Sequence, residues 1–86
     1  MTDKFYFTVT DFARMLNKSP VTIRSWERKG LISLPRDSGG DRKMSIEDVK
    51  NVARIAQRLG RIPQDRFELV VSALTLLSYI EKENKK

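Results

Sequence analysis

Residues 8–44 read TVTDFARMLNKSPVTIRSWERKGLISLPRDSGGDRKM, and most of the fold follows from them. Thr8 with Asp11 three residues on has the spacing of a capping box, so a helix starts after Thr8. Val9, Phe12, Ala13 and Leu16, with Met15 beside them, recur at helical spacing and give that helix one apolar face. Asn17-Lys18 is the expected turn. Ser19-Pro20 opens a second helix, because Ser caps the first turn and Pro occupies a position whose N–H has no helical partner. That helix runs to Lys29 and stops at Gly30, the residue best suited to a left-handed C-terminal position. Two helices joined by so short a turn pack as a helix-turn-helix.

Within the second helix, Val21, Ile23, Trp26 and the stem of Lys29 are packing candidates. Thr22, Arg24, Ser25 and Arg28 are left to face solvent or a ligand. Trp26 has two readings. It shares a face with Ile23, which favours the core, while a stacking or indole N–H contact to nucleic acid stays open.

After Gly30, Leu31 to Leu34 is expected as a short strand. Arg42-Lys43-Met44 is expected to return as a second strand after the turn-rich stretch from Pro35 to Asp41. Together they form a small β-hairpin with a basic flank. Ser45 with Asp48 repeats the capping-box signature and opens a third helix, expected to run to about Leu59 and stop at Gly60. Its buried face is read as Ile46, Val49, Val52, Ala53, Ala56 and Leu59. Ile62-Pro63 breaks the chain and starts a fourth helix, about Gln64 to Lys82. Phe5-Tyr6-Phe7 is expected to lie extended against the core. The fold class is mostly α: a winged helix-turn-helix over residues 1–60, with a small β-hairpin wing, and an added C-terminal helix within residues 61–86.

Composition narrows the function. With 86 residues, the chain makes one small domain, which buries only about 60–65 % of its unfolded surface. It has neither Cys nor His. That leaves no disulfide and no ordinary zinc or iron–sulfur site, and removes the nucleophile systems that need those residues. No Asp/Glu pair stands in a recognisable catalytic setting, so no enzyme, metal or cofactor is expected. The longest apolar-rich stretch, Phe67 to Ile80, is too short to span a bilayer and is broken by Glu68, Ser72, Thr75 and Ser78. No membrane association is expected, and the location is read as cytoplasmic.

The net charge is +6, and its placement is informative. From Arg14 to Lys43 there are eight Lys/Arg against three Asp/Glu, whereas from Arg61 to the end there are five against four. The excess lies on the helix–turn–helix–loop segment. A polyanion fits positive charge held rigidly along one helix face beside a basic loop, so duplex DNA is the expected partner. The expected contact set is Lys18, Ser19, Val21, Thr22, Arg24, Ser25, Arg28, Arg36, Gly39, Arg42 and Lys43. Arginine and lysine would dock on phosphates, while Thr22, Ser25 and Val21 would read base edges, Val21 against a thymine methyl.

The fourth helix raises a separate question, because its apolar residues wrap most of its circumference. One face against so small a domain cannot hide them all. A second copy covering Phe67, Val70, Val71, Leu74, Leu77 and Ile80 would give a two-fold dimer. The other reading buries the helix on two sides, under the third helix and Phe5 and Phe7.

These residues resemble the MerR-type winged-helix DNA-binding domain. That pattern runs YTVxELA, SPRTIRYYERKGLL, GGYRxY and SxEDL; this chain has FTVTDFA, SPVTIRSWERKGLI, GGDRKM and SIEDV at matching spacings over residues 7–60. The resemblance implies a second helix in the major groove and a wing on the flanking backbone. It places Ser19, Thr22, Arg24 and Ser25 at DNA-facing positions and Arg42 at a phosphate-contacting one. Ser25-Trp26 stands where the family often has Tyr-Tyr, and Asp41 and Met44 stand where it has wing aromatics, which implies fewer phosphate contacts. Full-length members add a long dimerisation helix and a sensing region. Here the fourth helix is shorter, and no sensor is expected after it.

The resemblance implies a small dimeric transcriptional regulator, bacterial or phage-encoded and nucleoid-associated, with RNA polymerase as a possible second protein. The alternative is an architectural factor of recombination (excisionase-like) or of DNA packaging, whose fourth helix meets a recombinase or motor subunit.

Overall fold

The computed structural model describes residues 5–35 and 43–84. It contains the helices α1 (Val9–Met15), α2 (Pro20–Arg28), α3 (Ile46–Arg58) and α4 (Gln64–Asn84). Helices α1 and α3 open on the two capping boxes read from the sequence. Thr8 accepts from the Asp11 N–H while the Asp11 carboxylate accepts from the Thr8 N–H, and Ser45 and Asp48 do the same. Each reciprocal pair satisfies two amides that the helix itself leaves orphaned.

Three helices stop by the same device. After α1, the N–H of Lys18 reaches the carbonyl of Ala13 at 2.8 Å and that of Asn17 reaches Arg14. After α2, Leu31 reaches Trp26 and Gly30 reaches Glu27; after α3, Arg61 reaches Ala56 and Gly60 reaches Gln57. These are Schellman closures, which need a left-handed residue at the first position beyond the cap. Asn17, Gly30 and Gly60 supply it, with φ of 60°, 79° and 75°. Asn17 is the informative one, since it closes α1 within the tight turn that sets α2 against it.

The helices enclose one core of Val9, Phe12, Ala13, Leu16, Ile23, Trp26, Ile32, Leu34, Met44, Ile46, Val49, Val52, Ala53, Ala56, Ile62, Val70 and Leu74. Trp26 is therefore a core residue, 7 % exposed, against Ile23. Packing pairs α1 with α2 and α3 with α4. Arg66 on α4 reaches back to the Met15 carbonyl at the end of α1, at 3.5 Å, where a cation also suits the helix dipole.

The structure corrects several expectations. No strand is present among the described residues. The segment Leu31–Leu34 is irregular, with Ile32 and Leu34 buried as apolar plugs. Met44 does not pair back to that segment. It forms an isolated antiparallel bridge with Phe7, so the backbone groups of Met44 are taken by the N-terminal residues. The expected hairpin tip, including Arg36, Gly39 and Arg42, lies outside the described residues. Leu59, read as buried, is 46 % exposed, because it is the C-cap of α3 and has turned away from the core. Val21 and Lys29, read as packing candidates, are exposed. Among the described residues no helix is long and apolar enough to cross a membrane.

Candidate nucleic-acid interface

Burial of Ile23 and Trp26 fixes the rotation of α2. At 100° per residue, Val21, Arg24, Ser25 and Arg28 then fall together on the side away from the core. The burial pattern follows that geometry: Val21, Arg24 and Arg28 are exposed and Ser25 is half-buried at the edge. Val21 is 68 % exposed at the start of this side. An apolar tip among arginines suits a groove that offers both phosphates and thymine methyls.

Ser19 and Thr22 stand at the mouth of α2 and hold each other. The Ser19 Oγ accepts from the Thr22 N–H at 3.2 Å and lies 3.0 Å from the Thr22 hydroxyl. Their first task is thus to cap the helix, and Thr22 is half-buried as a result. Lys18 is exposed in the turn before α2, Arg14 is exposed on the last turn of α1, and Lys43 is exposed beside buried Met44. Of the eleven expected DNA contacts, Lys18, Ser19, Val21, Arg24, Arg28 and Lys43 are exposed; Thr22 and Ser25 are half-buried; Arg36, Gly39 and Arg42 lie outside the described residues.

Two features were not read from the sequence. Arg54 and Arg58 of α3 are exposed on the side opposite its core residues, and Arg61 is exposed just past its end. A four-residue charge spacing is their signal, masked when a helix is weighed by its apolar face alone. The second concerns α4. Val70 and Leu74, expected at a dimer interface, are 4 % and 0 % exposed within the protomer. Phe67 and Leu77 pack partly against the same core and Val71 is half-buried, so only Ile80 of the expected six is exposed. The outward apolar row is Leu69, Ala73, Leu76 and Ile80, at spacings of four, three and four, with Tyr79 alongside. Leu69 and Leu76 are 58 % and 66 % exposed. Beside this row an open groove of about 200 Å³ is lined by Met15, Arg66, Leu69, Val70, Ala73, Leu74 and Leu77.

Among the described residues there is no cluster of acidic side chains fit to hold a metal. The described residues form a helix-turn-helix whose second helix exposes Val21, Arg24 and Arg28 on the side away from the core. Residues 8–43 match the model of the MerR family regulatory protein. Over this segment, which is less than half of the chain, the sequence is similar to the MerR family of regulators. Among solved structures, that of HiNmlR, a MerR family regulator lacking the sensor domain, bound to promoter DNA, aligns with 93 % of this chain and 70 % of its own. The alignment has 17 % identity and a TM-score of 0.45. No curated protein matches the sequence.

Proposed function

We propose that this protein is a MerR-like, sequence-specific regulator that binds promoter DNA as a homodimer, with α2 in the major groove and the basic stretch between Pro35 and Met44 on the flanking backbone as a wing. The observation that carries the reading is the shared exposure of Val21, Arg24 and Arg28 on one side of α2, opposite buried Ile23 and Trp26. A groove-reading helix needs that arrangement: its inner side is welded to the first helix, and its outer side combines charge with short or apolar tips. Arg28, Lys18 and Lys43 serve phosphates. Arg24 reaches a phosphate or a guanine edge, and Val21 and Ser25 meet base edges. Arg36 and Arg42 extend the phosphate contacts from the wing.

The dimer rests on α4. Leu69, Ala73, Leu76 and Ile80 form a seam with the alternating four–three spacing that a second helix of the same kind fills. A two-fold pair then predicts a palindromic site with half-sites about one or two helical turns apart. Replacing Leu76 by Lys puts a charge in the middle of that seam while leaving the buried Val70 and Leu74 untouched. Sedimentation should show a dimer for the wild type and a monomer for L76K at the same concentration, and equal masses for both would remove α4 as the contact. The electrostatic part is tested by salt. If the dimer neutralises about eight phosphates, log K falls against log salt with a slope of about −7. A flat response would reject phosphate docking as the source of affinity.

A further inference from the structure

The N-terminal residues link two parts of the molecule that are far apart in sequence. The Phe5 backbone N–H donates to the Glu81 carboxylate at 2.7 Å, a bond across 76 positions. Two residues on, Phe7 exchanges both backbone bonds with Met44, at 2.8 Å and 2.9 Å. Met44 is fully buried and Lys43, its neighbour, is exposed. Phe5 and Phe7 pack partly against the core while Tyr6 between them is exposed, the alternation of an extended strap lying on a surface.

We propose that Glu81 is a positioning residue for the DNA contact: it anchors the Phe5–Phe7 strap, and the strap fixes the backbone at Met44 so that Lys43 is presented to phosphate. The proposal rests on the DNA reading above and adds a residue that touches no DNA. Its logic is mechanical. The chain enters Met44 from a turn-rich stretch, and the Phe7 bridge gives the Met44 backbone its partner from outside that stretch. A two-residue bridge is weak alone, since an isolated strand pair has little to hold it. A charge-assisted bond at Phe5, half-buried and so less screened than a surface pair, tethers the strap at its other end. Glu81 also follows Ile80 of the outer seam directly, so the turn of α4 that meets a partner is the turn that holds the strap.

Three variants separate this role from charge and from general stability. Glu81→Ala removes the anchor. Glu83→Ala removes the same charge from the same end of α4 at an exposed position. Glu81→Gln keeps an acceptor oxygen. Each is titrated with a duplex at several salt concentrations, and amide hydrogen exchange is followed at Phe7 and Met44. For E81A we expect those amides to exchange about tenfold faster, affinity about three- to tenfold below that of E83A, and a salt slope shallower by about 0.9 per protomer, the signature of one lost phosphate contact. E81Q should stay within about twofold of E83A. A merely destabilising change lowers affinity without altering the slope. Equal affinities, slopes and exchange rates for E81A and E83A, with the wild type binding DNA normally, would overturn the proposal and leave the DNA reading standing. Failure of the wild type to bind duplex at low salt would bring down the DNA reading, and this proposal with it.

Discussion

Reversing one charge, Arg24→Glu, is expected to weaken duplex binding at least about a hundredfold while leaving the domain folded. Arg24 is exposed on the outer side of α2, so no core contact depends on it. Surface substitutions of that kind usually change stability by less than about 0.5 kcal/mol, and the melting temperature should move by only about 2–3 °C. The binding loss is larger because two effects add. An arginine contact to a phosphate or base edge is worth about 1–3 kcal/mol, and the glutamate then repels the phosphate it faces. In a dimer both occur twice. Gel-shift titration with circular dichroism on the same sample separates the outcomes. Wild-type affinity in a folded R24E protein would take α2 out of the groove.

The second large effect concerns the scaffold that holds α2 in place. Phe12 is fully buried where α1 packs on α2, within the core that also holds Ile23 and Trp26. Phe12→Ala removes a ring from that core and leaves a cavity, at a cost of about 3–5 kcal/mol. A domain of this size is held by roughly 4–13 kcal/mol in all. The substitution should therefore lower the melting temperature by roughly 15–30 °C, and near physiological temperature it should leave much of the population unfolded. DNA binding would fall in proportion to the unfolded fraction, and cooling should restore it. A drop of less than about 5 °C would mean that α1 and α2 are not joined through a packed ring, and that the rigidity of the helix pair has another source.

The contrast between these two substitutions shows where the sequence was readable. Helix starts were legible because a Thr or Ser with Asp three residues on is a local device, complete within one turn. Helix ends were legible for the same reason at Gly30 and Gly60. The division of α2 into an inner and an outer side followed from the three-residue spacing of Ile23 and Trp26, and with it the exposed arginines. The reading of Val21 as a packing residue failed because apolar character alone does not say which side a residue takes; position on the wheel does.

What was not legible depends on distant partners. The chain at Leu31–Leu34 has the composition of a strand, yet Met44 pairs with Phe7. No local signal reports which of two segments will take a third segment's backbone bonds. The same applies to α4. Its apolar residues form two rows with the same three-and-four spacing, Phe67–Val70–Leu74–Leu77 and Leu69–Ala73–Leu76–Ile80, and periodicity cannot rank them. Packing within the protomer buries Val70 and Leu74, partly covers Phe67 and Leu77, and leaves the second row outward, so most of the residues expected at a dimer seam serve the protomer's own core. Nothing local to Glu81, near the charged end of α4, signals that its carboxylate holds the Phe5 amide 76 positions away.

The central claim is that the outer side of α2 is the surface that meets DNA. Its most direct test is a titration of isotopically labelled protein with a duplex at about 50 mM salt, followed residue by residue in amide spectra, a condition under which electrostatic binding is strong. The account predicts that the largest changes cluster at Lys18 to Arg28 and at Lys43, with the core amides of α3 and the outer row of α4 nearly still. Changes confined to α4, or none along α2 at saturating DNA, would contradict it.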